Sequence, residues 1–115
     1  MPLIALTCPV KIDQSRRESI MKSLSEMTSE VLNKPEKYVM VSVSEDTLMM
    51  SGSTTPAALV TVKSIGGITP EKNRIFSQRI CSFLESEMGI SPQRVYINFF
   101  DVDAENWGWD RGTFG

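Results

Sequence analysis

Two stretches decide the fold: "NKPEKYVMVSV", residues 33–43, and "ISPQRVYINFF", residues 90–100. Each leaves a helical pattern, meets a proline at its third position, and then runs into apolar and β-favouring residues. Proline has no N–H to donate and keeps the residue before it out of helical conformation, so neither helix can cross it. Tyr38-Val39-Met40-Val41-Ser42-Val43 and Arg94-Val95-Tyr96-Ile97-Asn98-Phe99-Phe100 therefore read as strands.

Working outward, the same order precedes both junctions. Leu3–Cys8 is a short apolar run, read as a buried strand. Asp13 can cap a following helix, in which Ile20, Leu24, Met27 and Val31 recur at helical spacing while Arg16, Arg17, Lys22, Glu26 and Glu30 turn elsewhere. Asn33 ends that helix. In the second half Ala58–Val62 is a strand closed by Ser64-Ile65-Gly66-Gly67. Thr69-Pro70-Glu71 starts a helix with a capping hydroxyl, a first-turn proline and an acid near the N-terminus. Phe76, Ile80, Phe83, Leu84 and Met88 form its apolar stripe, and Gly89 is its C-terminal cap.

Two β-α-β units in tandem predict an α+β fold: one four-stranded mixed sheet with both helices on one face. A chain of 115 residues has room for one core, so residues 1–115 read as a single domain. The other sheet face is left bare. In a chain this short it is expected to pack against another subunit.

Composition narrows the chemistry. The apolar fraction is 41%, the charged fraction 23% and the formal charge −2, which points to neither nucleic acid nor an anionic membrane as partner. The N-terminus lacks a basic n-region and a long apolar stretch, so the expected location is the cytoplasm. Cys8 and Cys81 make neither a disulfide framework nor a zinc site and read as two small buried hydrophobes. There is no histidine. Ser-His and Cys-His nucleophiles and the commonest metal ligand are therefore absent, and no cofactor or metal is expected. Proton transfer would fall to a carboxylate, a lysine, a tyrosine or the chain terminus.

That last option gives meaning to Pro2. Once Met1 is removed, the Pro2 nitrogen is a secondary amine and hence a base. Other candidates are weak one at a time. Lys34 alone reads as a solvated lysine held in a loop, and Ile65-Gly66-Gly67 as a turn or as a backbone that lets a ligand approach. Tyr96 and Asn98 share a strand face and read as a cross-strand polar pair. Placed on a buried face, Asn98 needs hydrogen-bond partners. Trp107, Trp109 and Phe114 read as a cap over the core.

Their order along the chain is more specific. A proline behind the first methionine, "KP" followed by an aromatic, "SIGG", "RVYINFFD" and "GW…TF" together resemble the macrophage migration inhibitory factor family of tautomerases, over essentially the whole chain. "LMMSGSTTPAALVTVKSIG" fits the resemblance in the middle. The resemblance implies a homotrimer of tandem β-α-β subunits with sites at subunit interfaces. It implies Pro2 as the catalytic base, Lys34 as the binder of a substrate carboxylate, and Ile65 as a backbone contact. Tyr96 and Asn98 would reach the pocket from a neighbouring subunit, and Tyr38, Trp109 and Phe114 would form its aromatic walls. The implied chemistry is keto–enol interconversion of a small 2-keto acid such as phenylpyruvate. For such a base, burial among Ile65, Trp109 and Phe114 is expected to lower the amine pKa most, followed by repulsion from Lys34.

The sequence also departs from the family's pattern. Ala57-Ala58-Leu59-Val60 stands where the mammalian cytokine has Cys-x-x-Cys, so its thiol-oxidoreductase activity is not expected. Gly67 replaces a lysine found in some relatives, and Trp107 replaces smaller residues and is expected to narrow the entrance. Family members include cytokines that leave cells without a signal peptide, so a signalling ligand acting through its trimer surface is the rival reading. Dehalogenation needs paired arginines near the proline. Arg16 and Arg17 lie on the first helix and read as solvated.

Overall fold

A computed structural model describes residues Met1–Gly115. Its main elements are β1 (Pro2–Cys8), α1 (Gln14–Leu32), β2 (Met40–Glu45), β3 (Ala58–Ser64), α2 (Pro70–Met88) and β4 (Val95–Asp101). The sheet order is β2-β1-β3-β4. β1 runs parallel to β2 and antiparallel to β3, and β3 runs parallel to β4. This is the mixed four-stranded sheet of two β-α-β units that the sequence predicts. Two two-residue strands, β5 (Gly108–Trp109) and β6 (Gly112–Thr113), form a small hairpin near the C-terminus.

Strand alternation sets the layers. Ile4, Leu6 and Cys8 on β1 and Ala58, Val60 and Val62 on β3 face the helices and are buried. Ile20, Leu24, Met27 and Leu32 of α1 and Phe76, Ile80 and Leu84 of α2 complete one continuous core. Val31, Phe83 and Met88, also placed in the apolar stripes, pack on it half-buried. On the opposite face the register aligns Met40-Leu3-Lys63-Phe100, Ser42-Ala5-Thr61-Asn98 and Ser44-Thr7-Leu59-Tyr96 as three rows across the sheet. No helix covers these rows, and Met40, Leu59, Tyr96 and Phe100 are exposed there.

The helix ends follow their local chemistry. The Asp13 carboxylate accepts from the Arg16 N–H at 2.9 Å, and the Thr69 hydroxyl from the Lys72 N–H at 3.2 Å. Asn33 and Gly89 close the two helices in left-handed conformation, at φ 54° and 67°. The strand starts differ from the sequence reading. Each proline leads a single 3₁₀ turn, in which the Tyr38 N–H donates to the Pro35 carbonyl and the Arg94 N–H to the Ser91 carbonyl. Tyr38 and Arg94 therefore lie in turns rather than strands. β3 runs on to Ser64, which is wholly buried.

The arginines of α1 are also not free in solvent. Arg17 pairs with Glu45 at 2.7 Å and donates to the Val43 carbonyl, tying α1 to β2. Arg16 donates to the Glu87 carbonyl in the last turn of α2, where the helix dipole favours a cation. Arg94 donates to the carbonyls of Met50, Ser53 and Thr55, and so pins the 50–55 segment beside β4. Of the two cysteines only Cys8 is buried, and Cys81 is half-buried.

Candidate functional site

The start of β1 is where the two repeats bring their loops together. Pro2 is buried and lies opposite Ser64, the last residue of β3. A hollow of about 600 Å³ opens here, with Pro2, Tyr38, Trp107, Trp109 and Phe114 in its wall. A second hollow of about 340 Å³ is lined by Lys34, Ile65, Tyr38 and Phe114 among others. Met1, Tyr38 and Phe114 line both. Met1 thus borders both the hollow that holds Pro2 and the one that holds Lys34. While Met1 is attached, the Pro2 nitrogen is a tertiary amide and has no basic lone pair.

Each wall is fastened by its own loop chemistry. The Lys34 N–H donates to the Ser29 carbonyl at 3.1 Å, and the Ser29 hydroxyl donates back to the Lys34 carbonyl at 2.6 Å. The lysine therefore leaves a fixed backbone. Its ammonium lies beside the bare Cα of Gly66, where a Cβ would sit 3.5 Å from Lys34 Nζ. Gly66 and Gly67 both take left-handed φ, 77° and 82°, which explains two glycines in succession. The Ser64 hydroxyl donates to the Gly66 carbonyl at 2.7 Å, and the Gly66 N–H donates to Asp101 Oδ1 at 3.2 Å. These bonds fix the Ile65 backbone between a buried strand end and β4.

The aromatic wall comes from the tail. The rings of Trp109 and Phe114 stack with centroids 5.4 Å apart and planes 11° from parallel. Asp110 and Arg111 turn the chain between β5 and β6 with positive φ at both residues. The Phe114 N–H donates to the Trp107 carbonyl at 3.1 Å, so the hairpin closes back on itself. Trp107 is half-buried in the wall of the larger hollow.

Burial, and then repulsion from Lys34, hold the Met1 α-amine below the ordinary α-amine range. Burial also pushes both cysteine thiols up, which keeps them protonated and unreactive.

Of the eight residues singled out by sequence, six line the paired hollows: Pro2, Lys34, Tyr38, Ile65, Trp109 and Phe114. Tyr96 and Asn98 line neither. They stand on the uncovered face of β4, where both are exposed within a single chain. Sequence reasoning missed Met1, Lys37, Met40 and Lys63, which also line the larger hollow. The signal for Lys63 was strand alternation, which puts it on the uncovered face beside Leu3. For Lys37 there was none before the 3₁₀ turn was known.

The fold and the paired hollows define a two-layer α+β protein whose candidate site gathers around the start of its first strand. The family model for macrophage migration inhibitory factor matches residues 1–115, and the chain belongs to that family. It is 40% identical to the macrophage migration inhibitory factor of Meriones unguiculatus over 98 residues, 84% of this chain and 85% of the relative. It is 36% identical to the homolog of Trichinella spiralis over 115 residues, 99% of this chain and all (100%) of that one. The crystal structure of the homologue from Prochlorococcus marinus superposes with a TM-score of 0.92 at 38% identity, covering 98% of this chain and 99% of that one.

Proposed function

We propose that the chain is a keto–enol tautomerase of 2-keto acids such as phenylpyruvate, working as a homotrimer through the Pro2 amine once Met1 is gone. The observation that carries this reading is that Pro2 and Lys34 line two hollows whose walls share Met1, Tyr38 and Phe114.

The reaction moves one proton between a carbon and the oxygen on the neighbouring carbon. A base that is neutral near physiological pH yet still basic suits it best. In this reading the neutral Pro2 amine takes the proton from C3 of the keto acid, and electron density moves to the C2 oxygen. The Pro2 ammonium then returns the proton to that oxygen, giving the enol, and the reverse order restores the ketone. Lys34 holds the carboxylate by a charge-assisted contact. The Ile65 backbone and the walls of Tyr38, Trp109 and Phe114 orient the ring, so that the rate gain comes largely from positioning. Tyr96 and Asn98 of a neighbouring copy complete the pocket. The uncovered sheet face, with Tyr96 and Phe100 exposed, supports assembly.

Pro2→Gly tests the base directly. Glycine also leaves a terminal amine after processing, but a primary and freely rotating one. Turnover of phenylpyruvate should fall about a hundredfold, the lower end for loss of a positioned proton-transfer group. Undiminished turnover would remove Pro2 from the mechanism.

A second reading is supported by the names of the curated relatives, which are migration inhibitory factors. On it the chain is a signalling ligand acting through the trimer surface, with the hollow vestigial. An assembled, Met1-free protein that turns over no keto–enol substrate would favour it.

A further inference from the structure

The paired hollows hold three lysines and no carboxylate. Lys34 lines the smaller, and Lys37 and Lys63 the larger. The chain as a whole carries a formal charge of −2, so this is a local reversal of its sign. None of the three lysines is neutralised within the chain, since the ion pairs are Arg17–Glu45 and Arg79–Glu30. One ammonium suffices for one carboxylate. The other two stand on separate elements on either side of Pro2: Lys37 on the 3₁₀ turn before β2, and Lys63 on β3, in register with Leu3. β2 and β3 flank β1, so about 10 Å separates their axes at ordinary strand spacing. Both lysines rest on aromatic faces, Lys37 Nζ 5.0 Å from the Tyr38 ring centre and Lys63 Nζ 5.4 Å from that of Phe100. Such contacts hold an ammonium in place without neutralising it.

We propose that Lys37 and Lys63 form a second anion subsite, so that the preferred ligand is an aromatic acid with a further anionic group at the far end of its ring. The first anion meets Lys34, the ring lies along Trp109 and Phe114, and the far group enters the larger hollow between Lys37 and Lys63. The 2-keto acid identity of the near end rests on the function proposed above, whereas the demand for a second anion rests on the lysines alone.

The test is binding to the Met1-free protein by titration calorimetry, with cinnamate and 4-carboxycinnamate as probes. The dianion should bind about tenfold more tightly at low salt, two exposed charge contacts together giving roughly this factor. The preference should shrink as ionic strength rises. In the Lys37→Gln/Lys63→Gln protein it should fall to about one. Both side chains are exposed within one chain, so the fold should persist; because Lys63 lies on the face proposed for assembly, the variant's oligomeric mass is matched to the parent's, and each single variant should show an intermediate ratio. A parallel arm with 4-phosphonooxycinnamate distinguishes a phosphate from a carboxylate as the far group, and tighter binding of either than of cinnamate supports the subsite. Equal binding of all three acids, no detectable binding of any, or a preference that survives both substitutions overturns it. Phenylpyruvate turnover is measured alongside. A protein that selects the dianion but turns over no keto acid keeps this inference and loses the tautomerase reading.

Discussion

Replacing Lys34 by glutamine perturbs two properties at once, and the structure gives each a direction. Lys34 is half-buried, and its ammonium lies beside Gly66 in the hollow next to Pro2. A hydrogen bond to a charged group is worth about 1.5–3 kcal/mol. Partial exposure puts this one at the low end, about 1.5 kcal/mol, or roughly tenfold in affinity. KM for phenylpyruvate should therefore rise about tenfold with kcat little changed, the pattern of a contact made equally in ground and transition states. The second effect concerns pH. Lys34 is the second cause, after burial, of the lowered Met1 α-amine pKa, and its charge acts in the same sense on a Pro2 amine. A positive neighbour favours the neutral amine, so its loss raises the amine pKa. The acid limb of kcat/KM, which reports the base of the free enzyme, should move to higher pH. Steady-state kinetics across pH read both effects. A large fall in kcat at unchanged KM, or an acid limb that stays put or moves down, would refute the role given to Lys34.

Three further outcomes test the fold that carries the site. Leu84→Ala, at a wholly buried position between α2 and the sheet, should cost about 3 kcal/mol in urea denaturation of the assembled protein; a loss below about 1 kcal/mol would contradict the packing described. Arg94→Met frees the carbonyls of Met50, Ser53 and Thr55, so the Met50 and Ser53 amides, which bond across that small turn, should exchange hydrogen faster, while unchanged protection would show that the loop holds itself. Arg111→Gly relieves a non-glycine residue at φ 70° and should raise stability by up to about 1 kcal/mol, seen as a higher Tm; a lower Tm would mean that the arginine side chain stabilises the hairpin.

What the sequence disclosed and what it hid divide by range. Asp13, Asn33, Thr69-Pro70 and Gly89 mark the helix ends because a cap satisfies backbone groups within a few residues of itself. The repeat showed through because both units reuse the same junction. Tyr38 and Arg94 were misplaced for a local reason: a proline after a helix can lead a 3₁₀ turn as well as a strand, and apolar periodicity does not separate the two over three residues. The hairpin after Trp107 was hidden because Asp110-Arg111 lacks the glycine that usually marks a turn with positive φ. The site was legible where a family motif carried it, in Pro2, Lys34 and Ile65. Lys37 and Lys63 were not, since their neighbourhood depends on the register of three strands and on a turn. Arg17 looked solvated because Glu45, its partner, lies 28 residues further along the chain.

The most direct test of the account compares two preparations of one protein, identical except that intact mass shows Met1 present in one and absent in the other. Phenylpyruvate tautomerisation is measured in both. Turnover in the processed form alone is the predicted result, because only there is the Pro2 nitrogen an amine. Equal turnover with Met1 retained would contradict the account, since a tertiary amide cannot carry the proton.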